Sequence, residues 1–366
     1  MKKNVSVFVY VIVFLLIFSC ENKPDNIEVV SLKHTKTNVS LDDISDPRNM
    51  LMAGENEVII RNGSFDSLWY SLANLKTGKK YKFGSKGRGP GEMIYSCSPF
   101  YNSNKNLVYT YSGLNKEYVS FRLKDVKKGK AQFDNKLFSI NINDGSDSSP
   151  HLIVPVGDSL FVANGIFQTG RFGLYNNKGI LLNTFGEFPE NENNKGVKKM
   201  NNMERSVAYS GILTSCPEKK MFVVAIRNSD LIEIYQKKDN KFIRINKEYK
   251  PEYPPCVKVI HMGEAWSTAS CRNSILGFRR CVVSDRYIFI SFSSRTNKDF
   301  NEGKANYPHI IRVYNLKGRR IVDLDMDLPI WSFAVDSKKN KHIIYAIVPN
   351  NNMKSPRKLV KYEVKL

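Results

Sequence analysis

The sequence predicts an all-β fold: a six-bladed β-propeller whose ring is closed by the N-terminal strand pairing with the last blade. Three observations carry that prediction. Short β-branched and aromatic runs, broken by Gly, Asn and Asp turns, fill the chain after its first 26 residues, with almost no helical periodicity. One strand–turn–strand phrase recurs along the chain. The two ends are complementary fragments of the recurring unit.

The phrase is a strand ending in an aromatic residue, a turn with lysine and glycine or their equivalents, then a second strand. It reads "LWYSLANLKTGKKYKFG" (68–84), "FGLYNNKGILLNTFG" (172–186), "LIEIYQKKDNKFIRI" (231–245) and "IIRVYNLKGRRIVDL" (310–324), with a degenerate copy at "EYVSFRLKDVKKGKAQF" (117–133). Each copy follows another strand-like run, such as "NEVIIRN" (56–62), "KMFVVAIRN" (220–228) or "RYIFISFSS" (286–294). Six units result. A period of roughly 40 to 50 residues built only of strands fits blades packed radially, because a four-stranded sheet cannot bury both faces alone. The last unit stops at "KLVKYEVKL" (358–366) without an outer strand, and "NIEVVSL" (26–32) precedes the first unit without a partner. Pairing the two closes the ring and hides two sheet edges. Two separate β-sandwiches would not require such ends.

The first residues give an address. Lys2 and Lys3 precede a nearly all-apolar run from Val5 to Phe18 that ends at Ser19-Cys20. The run is short for a bilayer span and suits a secretory signal. Ile17-Phe18-Ser19-Cys20 resembles the lipobox of bacterial lipoproteins, where the cysteine becomes the acylated first residue; Phe18 departs from the small residue common there. Residues 1–19 therefore read as a lipoprotein signal peptide, 20–26 as lipidated Cys20 with a polar tether, and 27–366 as one propeller domain. The expected location is the cell envelope, anchored in the outer membrane, with the periplasmic and surface faces both open.

The formal charge is +21. Such a surface favours anionic partners, and the envelope address points to an anionic glycan, lipid headgroups or an envelope protein, not nucleic acid. The lysines are scattered, however, as on an ordinary solvated surface. Five cysteines follow Cys20: Cys97, Cys216, Cys256, Cys271 and Cys281. An odd number leaves at least one unpaired. One bridge among Cys256, Cys271 and Cys281, or free thiols throughout, are both open readings.

The segment Gly84-Ser85-Lys86-Gly87-Arg88-Gly89-Pro90-Gly91-Glu92 has the density of glycine expected of a phosphate-cradling loop, but it lacks the Lys-Ser/Thr ending of a Walker loop and any strand-to-helix setting. It falls between the outermost strand of unit one and the innermost strand of unit two, where the chain must turn back toward the axis. Here the sequence resembles NHL-type and TolB-like propellers, whose blades are joined by "GxGPGxF"-like segments; Gly87–Met93 looks very like that pattern, with Met93 at the position of its Phe. Lipobox, Gly-Pro-Gly-Glu segment and the C-terminal Tyr345 and Lys361-Tyr362-Glu363 strands together are similar to six-bladed propeller lipoproteins of Gram-negative envelopes. The resemblance implies a fold and an address, not a reaction.

No metal-ligand spacing joins His34, His151, His261, His309 and His342, no nucleophile elbow is present, and no cofactor is legible. Asp323, Asp325 and Asp327 alternate along one strand face and read more simply as a charged, soluble strand edge. The candidate ligand-binding residues are Arg88 and Glu92 in the glycine-rich joint, and Tyr253, His261, Glu264, Trp266 and Arg272 in the long break at 249–274 between units four and five, whose aromatic and arginine content suits contact with carbohydrate or peptide. Arg88 and Glu92 read equally as a pair that fixes the joint, and the break as a cap over the axis. A second break at 189–206 reads as a polar loop. The expected function is a lipid-anchored binding or protein-interaction module. The competing expectation is a propeller enzyme, a glycan lyase or hydrolase, with an axial and metal-dependent site.

Overall fold

The computed structural model describes residues 27–140, 149–189, 202–246, 257–262, 265–270, 272–304, 307–349 and 357–366. Two strands come first: β1 (Glu28–Leu32) and β2 (Thr35–Lys36). Blade one holds β3 (Met50–Met52), β4 (Glu57–Arg61), β5 (Leu68–Asn74) and β6 (Lys80–Ser85). Blade two holds β7 (Phe100–Asn102), β8 (Leu107–Ser112), β9 (Glu117–Arg122) and β10 (Asn135–Ser139), and blade three β11 (Ser149–Pro155), β12 (Leu160–Ile166), β13 (Phe172–Asn176) and β14 (Leu181–Phe185). Blade four holds β15 (Gly211–Cys216), β16 (Met221–Ile226), β17 (Ile232–Lys238) and β18 (Lys241–Arg244). A separate hairpin, β19 (Val257–Met262) with β20 (Ala265–Ser270), leads to blade five: β21 (Ile275–Val283), β22 (Tyr287–Thr296), β23 (Ile310–Asn315) and β24 (Arg320–Met326). Blade six is β25 (Ser332–Lys338), β26 (Lys341–Val348) and β27 (Lys358–Lys365). Each blade is an antiparallel meander whose first strand lies innermost, and the six predicted units are the six blades.

Period-two alternation explains why the strands read as nearly continuous apolar runs. Along β16, Phe222, Val224 and Ile226 pack toward blade three while Met221, Val223 and Ala225 pack toward blade five. Along β26, Ile344, Ala346 and Val348 face blade five, and Tyr345 and Ile347 face blade one. Both faces of each blade are thereby covered. The six hydrophobic clusters fall one at each of the six blade junctions.

The recurring turn has a chemical cause. Asn74, Asn176 and Asn315 each accept backbone N–H groups of their own turn on Oδ1. Gly78, Gly179 and Gly318 then take left-handed φ values of 74°, 77° and 89°. In blade four, where the phrase has no glycine, Asp239 takes that role at φ 50°.

The N-terminal segment closes the ring on the last blade, but with a different stretch from the one expected. Thr35 and Lys36 of β2 pair with Lys361 and Val360 of β27 and complete blade six as its outermost strand. Residues 28–32 reach one blade further. They pair in parallel with β24 as a fifth strand on blade five, with Val30 and Leu32 packed against the cluster between blades five and six. The Asp323–Asp327 face is therefore not a free edge. Asp323 is buried and ion-paired with Arg320, and Asp327 accepts hydrogen bonds from Tyr362 (3.0 Å) and the His34 backbone N–H (3.3 Å).

Among the described residues, Cys97, Cys216 and Cys281 are free thiols; Cys256 and Cys271 lie outside them. The 189–206 break ends in a short helix, Asn202–Ala208. Deleting residues 27–36 strips the outer strand from blade six and uncovers Val30 and Leu32. The expected loss is about 3 kcal/mol of unfolding free energy, at the usual gain per half-buried aliphatic side chain plus lost strand pairing. Urea titration of the shortened chain checks this; an unchanged midpoint would show that the blade packing closes the ring unaided.

Candidate functional site

Every blade-to-blade connection runs from an outermost strand to the start of the next innermost strand. All six inner strands therefore begin at one face of the ring. At that face the axis opens into a cavity of about 320 Å3, walled by residues of five blades. Four arginines reach it: Arg61, Arg227, Arg279 and Arg280. Tyr95, His151, Asn164 and Ser98 stand among them, and no Asp or Glu contributes to the described wall.

Local backbone irregularities place these side chains. In blade five, Phe278 pairs with Phe292 and Arg280 with Ser291, so Arg279 is an extra residue, a β-bulge in the innermost strand. Two consecutive arginines consequently reach the cavity wall, where a regular strand would send one to each face. In blade three, Pro150 pairs with Gly165 and Leu152 with Asn164; here His151 is the extra residue. Arg227 follows β16 and is held by its backbone, donating to the Ser210 carbonyl at 3.0 Å and bridging to Gly277 of blade five. Gly277 has φ 59°, and a Cβ there would meet the Ser229 carbonyl oxygen at 2.7 Å. Only glycine lets blade five approach so closely, and that approach brings Arg227 beside Arg279.

Arg61 ends β4 and is only 8% exposed, with its guanidinium 5.5 Å from the ring centre of Trp69 and 5.4 Å from that of Tyr95. Its Nε has no hydrogen-bond partner among the described residues. Arg280 donates from Nε to the Phe333 carbonyl at 3.3 Å and from a terminal nitrogen to the Met50 carbonyl, so it links blade five to blades six and one.

Among the described residues no carboxylate faces these charges in the wall. Burial lowers the Arg227 pKa from its ordinary value; burial and then the neighbouring Arg227 charge lower that of Arg279. Burial pushes Arg280 down to about 10. Elsewhere the same fold supplies a carboxylate to enclosed guanidinium groups: Glu233 to Arg171, Asp230 to Arg312, Asp323 to Arg320 and Asp46 to Arg357. Among the described residues the mouth holds no such partner. It can do what clustered, preorganised guanidinium groups do, which is to bind carboxylate, phosphate or sulfate oxygens, often bidentately.

Of the residues singled out from sequence, Arg88, Glu92 and Arg272 do not line this mouth. Glu92 turns into its own loop, its Oε2 accepting the Gly89 N–H at 2.9 Å, and Arg88 is exposed. The loop still serves the site, because it returns the chain to Tyr95: Met93 accepts from Trp69 Nε1 at 3.0 Å and donates to the Ser85 carbonyl at 2.9 Å. His261 and Trp266 are register partners across the β19–β20 hairpin, whose backbone runs close to helix Asn202–Ala208 before the chain enters blade five. Arg272 is held at the foot of the hairpin, its carbonyl accepting from the Lys298 N–H at 2.8 Å and its guanidinium 3.8 Å from Glu302. Tyr253 and Glu264 lie outside the described residues. The arginines of the mouth were not singled out, since they come from strands far apart in sequence. The one local signal was Arg279-Arg280, two adjacent charges in an otherwise apolar inner strand.

Residues 26–338 match the TolB-like 6-blade propeller-like family. The protein belongs to that family. No curated protein matches this TolB-like chain in sequence. Among solved structures, a member of the duf4221 family from Bacteroides vulgatus shares 12% identity at a TM-score of 0.51, over 91% of this chain and 97% of the other. A protein described as exported, from Bacteroides fragilis, shares 12% identity at a TM-score of 0.48, over 92% of this chain and 100% of the other. The first likeness attests the six-bladed ring of this TolB-like protein; neither carries a ligand to it.

Two outcomes follow from the site. Arg279→Gln removes one of two facing charges, so in low-salt, anion-free buffer it is expected to raise the melting temperature; a fall of several degrees would contradict the like-charge account. Burial also lowers the His151 pKa. The unfolded chain then takes up that proton first, so the contribution is complete above an ordinary histidine value of about 6.5 and is lost as pH falls through it. His342 is shifted the same way. Melting curves from pH 7.5 to 5.5 should lose less stability in His151→Gln than in the parent; identical slopes would exclude His151 as a source of the loss.

Proposed function

We propose that this TolB-like protein is a lipid-anchored binding module of the cell envelope, and that it captures an anionic ligand in the axial mouth. One observation carries the reading: four arginines converge on one cavity whose described wall holds no carboxylate. Leaving guanidinium groups enclosed and uncompensated is costly, and an arriving anion removes that cost. The scattered surface lysines add a long-range field that draws anions toward the ring. An acidic glycan end-group or an acidic peptide of an envelope protein has the required charge.

The address is proposed on the first 26 residues. Cys20 carries the lipid, and the tether from Cys20 to Asn26 spans at most about 25 Å when extended. It joins the fold at β1, on the outer edge of blade five, so that rim stands nearest the membrane. No helix among the described residues is long and apolar enough to cross a membrane.

The test is thermal melting of residues 21–366 with sulfate, phosphate and a hexuronic acid, each against its neutral counterpart. A ligand bound only by the folded state at a hundredfold excess over Kd stabilises by about 2.7 kcal/mol. The anions are expected to shift the midpoint, and Arg227→Gln combined with Arg279→Gln to abolish the shift. Equal response to neutral hexose, or turnover of a glycan, would overturn the reading. Separately, Cys20→Ser is expected to move the full-length protein from the membrane to the soluble envelope fraction; retention on the membrane would refute the anchor.

A further inference from the structure

The face opposite the mouth has its own chemistry. Each blade is a meander that starts at the mouth, so the turns between its first and second strands, and between its third and fourth, fall at the far face. Apart from the longer β9–β10 connection, ten tight turns lie there, and between their strand ends they hold ten Lys or Arg against five Asp or Glu. In and beside the turns of blades four to six stand Lys219, Lys220, Lys238, Lys241, Lys317 and Lys339, all exposed and none ion-paired among the described residues. Glu218, Asp239 and Asp285 are interspersed and leave the excess positive. A groove of about 400 Å3 between blades four and five brings Lys238 and Lys317 to one wall, so the charge runs on from blade to blade. The chain enters the fold at this same face. β1 runs parallel to β24, with Glu28 opposite Val322 and Leu32 opposite Met326. β24 starts directly after the turn that carries Lys317 and Arg319, so β1 begins at the turn end of blade five and finishes toward the mouth. Val29 and Ile321 are exposed beside that entry.

We propose that the lysine-bearing turn face docks on the anionic headgroups of a phospholipid membrane, so that the arginine mouth opens away from the bilayer. The direction of docking rests on the lipid-anchor reading; the charge of the face stands apart from it. A lipid on Cys20 and a short tether bring the turn end of blade five to the membrane. Exposed lysines without carboxylate partners gain there from the phosphate charge of the headgroups. The mouth then meets its ligand from the opposite side. Contact of this kind is reversible and screened by salt, so it orients the ring and does not replace the lipid.

The experiment is sedimentation of residues 21–366, which hold every described strand, with vesicles of phosphatidylcholine alone or mixed with phosphatidylglycerol. Without Cys20 the lipid plays no part, so failure here and failure of the anchor are separate results. Binding is expected to the anionic vesicles only, and to fall away at about 0.5 M salt. Each lysine at an anionic surface adds about fivefold in affinity. Lys238→Gln, Lys317→Gln and Lys339→Gln together are therefore expected to weaken binding about a hundredfold. Lys298→Gln, between the second and third strands of blade five and so at the mouth's face, is expected to leave it unchanged. Equal binding to both kinds of vesicle would overturn the proposal, as would the same loss from Lys298→Gln as from Lys317→Gln alone. Tighter binding to soluble polyglutamate than to anionic vesicles would make the partner an acidic protein and overturn docking on lipid. Amine acylation of the vesicle-bound parent chain reads the orientation without any substitution. It is expected to spare Lys317 and Lys339 and to modify Lys298; the reverse pattern would put the mouth against the membrane and refute the orientation.

Discussion

A four-stranded antiparallel sheet with apolar residues on both faces cannot be stable by itself, and everything in this molecule follows from how that problem is solved. Each blade has two such faces. Val58 and Ile60 of blade one pack against blade six, while Ile59, between them, packs against blade two. Covering both faces of every blade admits a closed ring, and a closed ring needs its first and last blades in contact. The cluster that joins Val58, Ile60 and Ala73 to Ala334, Tyr345 and Ile347 is that contact. The strand exchange at the N-terminus reinforces it: β2 supplies the missing edge of blade six, and β1 shields the edge of blade five.

Radial packing also creates the axis. Twisted blades converge on their inner strands without filling the centre, so side chains at the starts of those strands face one another across a channel. The site is a by-product of the architecture until the sequence places charge there. Bulges at His151 and Arg279 turn residues toward the channel that a regular strand would direct elsewhere. The same chain neutralises Arg171 with Glu233 in the core between blades three and four, which shows what compensation looks like in this fold. Among the described residues the wall of the mouth holds no carboxylate, so its guanidinium groups have no such compensation there.

Much of the fold was legible because propeller blades are local. Strand alternation, the turns that carry Asn and Gly and the half-unit at each end are all short-range features, and they identify the six blades. The closing strand was misplaced by one element because "NIEVVSL" is the more strand-like stretch, whereas Thr35–Lys36, only two residues long, has no pattern to read. Backbone pairing selects by geometry and not by propensity, and the short element happens to meet the open edge. The site was legible only in outline. The glycine-rich joint stood out in sequence, yet Glu92 turned inward to its own loop, and the contribution of that joint is the placing of Tyr95.

What the sequence by itself determined is the set of interactions between near neighbours: the strands, the turns, the number of blades and the charge of the whole chain. These depend on residues within a few positions of one another, and periodicity exposes them. What only the tertiary structure decided is which arginines share a cavity. Arg61, Arg227 and Arg279 belong to three different blades, and their approach depends on ring closure, on the bulge at Arg279 and on the absent side chain of Gly277. A charge cluster assembled across the axis leaves no periodic trace in the chain, because its members are set by the angle between blades and not by their spacing in sequence.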